Sequence, residues 1–373
     1  MSSSKTHRIW LPTLFIFLLI VFLLLLPSSF DQKIFPNTER VPVRILSTDE
    51  SAVRITGMIK QGEQVCKVTI ERGRFKGTDA SAVNLLTGSL ENDKLFSMGD
   101  RAFAVIDYDE NGIKYVNLVD HYRLDWIVWI GIAFVLLLIL FAGAIGIRSL
   151  LSFILTILVI WKVLIPAFLL GYNPLLIGII VTTLLTIGII TLVYGLDKRS
   201  LAAASGSVLG TLLTAALSFF LVGAFKIHGA VMPYSESLLY SGFSTLDLTS
   251  IFTASIFIAC SGAMMDVAVD ITSAVDEVIR NAPEMSRTSA VKSGLSVGRA
   301  IMGTMTTTLL LAYSGGFISL LMVFMAQGTP LLNILNLKYV SSEILHTVIG
   351  SFGLITVAPF TALTSGLMLG KKR

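Results

Sequence analysis

Asp266 and Asp270 stand one helical turn apart at the end of a hydrophobic run, Ile251–Met265. Residues four apart share a helix face, and Ser273 and Glu277 continue it. Two carboxylates so placed can hold a cation between them, or one of them can carry a proton. Ser261-Gly262, just upstream, offers a place where the helix can open and turn carbonyls toward an ion. A plainer reading competes. Asp266 lies about 27 Å along a straight helix from Leu248. That is near a membrane edge, where acids are tolerated as solvated or ion-paired groups.

Arg299 opens the next apolar run at a similar expected depth. A pair between it and Asp266 or Asp270 would tie two helices together, as structure or as a proton-releasing switch. Ser296, Arg299, Gly303 and Thr306 follow a 3-4-3 spacing and form one helix face, while Gly294-x-x-x-Gly298 adds a close-packing surface. Ser207, Thr211, Thr214 and Ser218 repeat the pattern beside Gly206 and Gly210. Two such faces can line a water-filled path. They can equally be tight helix contacts whose hydroxyls bond back to carbonyls, and the sequence does not choose.

The elements that must position these residues follow from composition. The chain is 54% hydrophobic and 14% charged, with a mean hydropathy of +0.80, which excludes an ordinary soluble globule and a disordered chain. Cys66 and Cys260 are expected outside and inside the membrane and so cannot pair. His7, His121, His228 and His346 are scattered without metal-ligand spacing, so no metal site is expected. No nucleophile elbow, phosphate-cradling glycine loop or paired-histidine zinc motif is present. No enzyme, no catalytic residue and no cofactor is expected. No basic run is interleaved with aromatics, so no nucleic-acid partner is expected either.

Three regions emerge. Residues 1–30 hold an apolar run, Ile9–Leu26, behind Lys5, His7 and Arg8. Pro27-Ser28-Ser29 is a poor cleavage site, so this run is expected to be an uncleaved signal anchor. Residues 31–124 are polar, with acids and bases near balance. Short alternating runs at Val41–Leu46, Gln64–Ile70, Arg101–Ile106 and Lys114–Val119 are separated by turn signals. That pattern predicts a small all-β domain of OB-like or SH3-like barrel type. The Asp109-Glu110-Asn111-Gly112 cluster is expected to be a hairpin turn rather than a calcium loop. Residues 125–373 form a seven-helix membrane domain, with spans near 126–146, 149–170, 174–194, 201–224, 248–268, 300–326 and 344–369. The fold class is thus an α-helical polytopic membrane protein of about eight transmembrane helices carrying one small extracytoplasmic β domain. Lys162, beside Trp161, is expected to snorkel.

Basic residues orient the chain. Placing the N-terminus in the cytoplasm puts Lys5, Arg8, Arg148, Lys198, Arg199, Arg280, Arg287, Lys292, Arg299, Lys371, Lys372 and Arg373 inside. Only Lys226 and Lys338 fall in short external loops. The positive-inside rule then keeps both termini cytoplasmic and exports residues 31–124.

At Gly262-Ala263-Met264-Met265-Asp266-Val267-Ala268 and at Gly298-Arg299-Ala300-Ile301-Met302-Gly303-Thr304-Met305-Thr306-Thr307-Thr308-Leu309-Leu310-Leu311-Ala312-Tyr313, the chain resembles the YibE/F-like family of bacterial multi-spanning membrane proteins. The resemblance implies a polytopic protein of the bacterial plasma membrane and no particular mechanism. Two departures stand out. The family pattern usually has Asp after the Arg, where this chain has Ala300, and Asn where it has Thr307. If that Asp carries function, Asp266 or Asp270 must serve in its place.

Two functions remain open. One is a secondary transporter or channel-like permease for a small solute or ion, with its path between the 201–224, 248–268 and 300–326 spans. Asp266 and Asp270 would bind the coupling cation and Arg299 would be the counter-charge. The other is a non-catalytic cell-envelope assembly factor, whose β domain binds a partner or a second copy of the chain. A mere anchor has little need of hydroxyl stripes on two helices, which favours the first.

Overall fold

The computed structural model describes residues 2–27 and 37–371. Ser28-Ser29, the opening of the β domain, the side chains of Lys5, His7 and Arg8, and residues 372 and 373 lie outside the described residues. The chain divides into two compact units. One runs from 31 to 140, and the other joins 1–30 to 141–373.

In the first unit, strands β1 (Thr38–Thr56), β2 (Ile59–Ile70), β3 (Asp79–Thr87), β4 (Arg101–Asp109) and β5 (Gly112–His121) close a barrel in the order β1-β2-β3-β5-β4. Of the two barrels expected, this five-stranded closure is the OB-like one. β1 is long because it pairs twice. Thr38–Arg44 runs beside β4, and Val43–Thr56 beside β2, with bulges that let it curl. Alternation builds the interior: Val43, Ile45, Cys66, Val68, Ile70, Ile106, Val116 and Leu118 all point inward around Phe96. Asp109 and Gly112 close the β4–β5 turn, where Asp109 Oδ1 accepts from Asn111 N at 2.8 Å.

The sequence pattern missed β3. Its inward positions include Ala82 and Asn84 rather than a run of large apolar residues, so its period is faint. Asn84 is fully buried beside Gln64. Gln64 Oε1 accepts from Asn84 Nδ2 and from Phe96 N, both at 3.1 Å, while Gln64 Nε2 donates to Phe96 O at 2.9 Å. Asn84 Nδ2 donates to Lys94 O at 2.6 Å. Two amides thereby stitch the segment after β3 across the barrel.

Past His121 the chain enters α2 (Leu124–Leu169), a 46-residue apolar run with Trp126 and Trp129 exposed in its opening turns. Arg101 Nε donates to Glu71 Oε2 at 2.7 Å, and the same guanidinium pairs with Asp125 and covers the Tyr122 ring at 4.9 Å. Arg44 Nε also reaches Glu71, at 3.0 Å. This cluster ties the barrel to the first turn of the helix.

The second unit is helical. It contains α1 (Ser2–Leu25), the later part of α2, α3 (Pro174–Tyr194), α4 (Lys198–Ala224), α5 (Leu248–Asn281), α6 (Arg287–Ala326) and α7 (Lys338–Leu369). Among the described residues six helices, α2 to α7, are long and apolar enough to cross a membrane, and the apolar stretch of α1, Trp10–Leu25, is shorter. The chain is therefore an integral multi-pass membrane protein. The sequence predicts two spans here, divided near residue 146, and α2 is indeed broken close by, at Gly143, whose φ of 55° and ψ of −128° are not helical. Glycine tolerates that conformation where other residues would be strained.

Asn173 caps α3 by accepting from Leu175 N and Leu176 N, and Asp247 caps α5 by accepting from Ser250 N at 3.0 Å. Lys162 has a specific partner. It sits in a π-helical turn, Ile160–Leu164, and donates to Leu26 O at 3.0 Å, beyond the last turn of α1. Arg148 does the same for α3, donating to Leu192 O at 3.1 Å. Both cations meet carbonyls that a helix leaves unpaired at its C-terminal end.

Two outcomes follow for the barrel. Gln64→Leu leaves buried amides unpaired and should cost about 1–3 kcal/mol for each polar group orphaned. A lowered thermal midpoint of the barrel would show it, and an unchanged midpoint would refute it. Burial alone would raise the Glu71 carboxyl, but hydrogen bonds and charge from Arg101 and Arg44 outweigh burial and hold it below its ordinary 4.5. A lowered carboxylate stabilises the fold above its unfolded pKa, and that stability is lost as pH falls through the folded value. The junction should loosen on acidification below about pH 4.5, and Glu71→Gln should remove that dependence. Emission from Trp126, with the other tryptophans replaced by Phe, is the measurement.

Candidate functional site

The helical core is built on close approach. α7 lies in the middle, packed against α4, α5 and α6. Gly294 of α6 faces Ala362 and Val275, and Gly298 faces Ala358 and Ile271. On the other flank Gly206 faces Thr361, and Gly210 faces Val357. A methyl group added at Gly206 would collide with Thr361 Oγ1 and stand 2.6 Å from its Cα. These glycines let backbones approach where larger side chains would hold them apart.

This packing decides the fate of the hydroxyl face on α4. Ser207, Thr211, Thr214 and Ser218 are all buried. Thr211 Oγ1 donates to Ser207 O at 3.0 Å, Thr214 Oγ1 to Gly210 O at 2.8 Å and Ser218 Oγ to Thr214 O at 2.8 Å. Gly353 of α7 rests on Thr214 Oγ1 and Met264 Sδ. In this conformation the face is helix packing. The α6 face points elsewhere. Gly294 and Gly298 turn inward, which places Ser296, Arg299 and Gly303 on the exposed side. Thr306 is half-buried, with its hydroxyl donating to Met302 O at 3.1 Å. The two polar faces read from sequence therefore do not line one common path here.

Asp266 and Asp270 are exposed on α5, on the side away from Met264, Val267, Ala268 and Ile271, which are buried. Ile271 touches Gly298, so Asp270 and Arg299 sit at one level. The expected ion pair between them is absent. Neither acid nor Arg299 has a hydrogen bond or salt bridge among the described residues. The reason is rotation: Arg299 follows inward-facing Gly298 by one residue, about 100° around the helix.

Two clusters escaped the sequence reading. At the ends of α3 and α5 and the start of α4, Arg199 reaches Asp197 at 3.0 Å and Asp276 at 3.4 Å, and Arg280 reaches Asp276 at 2.7 Å. Arg199 also covers the Tyr194 ring at 5.2 Å, and the Tyr194 hydroxyl lies 2.6 Å from both Val269 O and Ser273 Oγ. Only the four-residue spacing of Asp276 and Arg280 signalled any of this. The second cluster lies between α6 and α7, where Tyr313 stacks on His346 with centroids 4.5 Å apart. Among the described residues Tyr313 OH and His346 Nε2 are buried without a partner, as are Ser207 Oγ and Thr361 Oγ1 on the opposite flank of α7. His346 carried no signal in sequence because its neighbours come from another helix.

A YibE/F-like protein model matches residues 130–371. The chain belongs to the YibE/F-like family. The match spans the membrane helices, including every candidate residue above, and begins after the barrel. No curated protein and no solved structure matches the chain.

The orphaned atoms give a test of the packing. Ser207→Ala removes a hydroxyl that has no partner and should leave stability unchanged or raised. Gly206→Val should separate α4 from α7 and cost about 1–3 kcal/mol or more. Thermal unfolding of both variants in one detergent decides it, and equal midpoints would mean that the seam is not tight.

Proposed function

We propose that this YibE/F-like chain is a permease of the bacterial plasma membrane, moving a small solute or ion by coupling to a cation, with no enzymatic step. The observation that carries this reading is the set of buried polar atoms that have no partner among the described residues on both flanks of α7: Ser207 Oγ and Thr361 Oγ1 on one, Tyr313 OH and His346 Nε2 on the other. A polar atom stranded in an apolar interior is costly and calls for a reason. An anchor has none. A permease caught with its path closed has one, because the same atoms meet water or solute when α4 and α6 move away from α7.

In this reading Asp266 and Asp270 are the coupling pair, since two unpaired carboxylates on one face can exchange a proton or a metal cation with the medium. Arg299, at the level of Asp270, is the counter-charge they meet as helices shift. The Asp197–Arg199–Asp276–Arg280 cluster acts as a clasp between α4 and α5. With α1 and both halves of α2 counted as crossings, the spans number eight. The positive-inside count then puts both termini in the cytoplasm and the barrel outside.

Flux into proteoliposomes is the test. Wild type and Asp266→Asn/Asp270→Asn would be compared with an internal pH-sensitive dye and a panel of external cations and anions. Flux lost in a well-folded double variant supports the reading. Flux that survives removes the acids from the mechanism. Failure of the wild type to move anything under any gradient favours the competing reading, an envelope assembly factor that works through its barrel.

A further inference from the structure

The barrel carries an exposed apolar tip that neither its own fold nor the permease reading uses. β1 and β2 meet in a two-residue loop, Gly57-Met58, with Thr56 paired to Ile59 and Gly57 at φ +63°. Met58 is 81% exposed, and Ile55 and Ile59 beside it are also exposed. Leu90, from the segment after β3, is exposed too and lines the same hollow as Met58. Exposed large apolar residues gathered at one point mark a contact surface.

The strand registers say which way this tip points. β3 runs parallel to β5, with Val83 opposite Asn117. β3 therefore ends, at Thr87, toward the same end of the barrel at which β5 reaches His121 and feeds α2. β2 is antiparallel to β3 with Gln61 opposite Thr87, so the Gly57-Met58 loop lies beyond that level. The apolar tip thus projects from the barrel end that gives rise to a membrane helix. Trp126 and Trp129, in the first turns of that helix, are the aromatic residues expected at a headgroup layer.

The charges agree. In the hairpin no acid occurs between Ser51 and Gly62, while Arg54 and Lys60 flank the tip; beside Leu90 the acids are Glu91 and Asp93, and the Asp93 carboxylate accepts from Thr87 N, Gly88 N and Ser89 N. Neither base forms an ion pair among the described residues. An apolar tip bracketed by unpaired bases complements acyl chains below and lipid phosphates around them.

We infer that the β1–β2 tip dips into the bilayer leaflet in which Trp126 and Trp129 sit. Ile55, Met58, Ile59 and Leu90 enter the acyl boundary, and Arg54 and Lys60 rest on phosphates. The barrel then rides on the membrane surface instead of swinging on its tethers. This holds on whichever side of the membrane the barrel lies and does not depend on transport.

The full chain allows a direct test because Cys66 and Cys260 are both buried. Met58→Cys and Leu90→Cys would each be labelled with a polarity-sensitive fluorophore after reconstitution into phosphatidylcholine–phosphatidylglycerol vesicles. Asn111→Cys, in the β4–β5 turn at the opposite end of the barrel, is the control. Blue-shifted emission at positions 58 and 90, quenched by lipids brominated high on the acyl chain, with neither effect at position 111, is the expected result. Emission like that of the control would overturn the inference. So would a blue shift that brominated lipid fails to quench, which would point to a second copy of the chain on the tip.

Discussion

Backbone contact across glycine holds the helical unit together, and the rest of that unit depends on it. Lipid tails are as apolar as leucine, so helices in a bilayer gain little by burying leucine against leucine. They gain by approaching closely. Gly206, Gly210 and Gly353 close the α4–α7 seam, and Gly294 and Gly298 set α6 against α5 and α7. Once these positions touch, every neighbouring side chain has its direction fixed. Ser207, Thr211 and Thr214 are drawn inside with the α4 glycines. Arg299 is carried outward because the α6 glycines face in.

The same contact makes the interior polar where it need not be. Several buried hydroxyls on these helices, Thr211, Thr214 and Ser218 among them, bond back to the preceding turn and are satisfied within their own helix, and Thr272 and Ser365 bond each other across α5 and α7. Ser207, Thr361, Tyr313 and His346 are the exceptions that bear on function. All four border α7, which meets α4, α5 and α6 at once, so a small movement of that helix changes their surroundings together. Asp266 and Asp270 lie outside this dry region, on the exposed face of α5. On the opposite side of the same helix, Met264 and Ile271 belong to the buried core.

The barrel obeys different physics because it forms in water. Its stability comes from the hydrophobic effect, and strand alternation sorts residues into inside and outside. It also accepts two buried amides, Gln64 and Asn84, whose bonds to Phe96 and Lys94 hold a segment no strand pairing would hold. The family match begins at residue 130, after the barrel.

Composition and period by themselves determined that the chain is a multi-pass membrane protein with one small β domain. Hydrocarbon admits only long apolar helices, and half-buried strands must alternate, so both properties are written locally. The hydroxyl and glycine spacings on α4 and α6, and the shared face of Asp266 and Asp270, were legible for the same reason: a helix face is a property of one segment. Tertiary structure decided which way each face turned. It buried the α4 stripe, exposed the α6 stripe, separated Arg299 from Asp270 at equal depth and brought Tyr313 onto His346. It also hid β3, whose inward Ala82 and Asn84 make sense only against Gln64 on the next strand. Rotation and partnership depend on where a neighbouring helix or strand makes its closest approach, and a single segment holds no record of that.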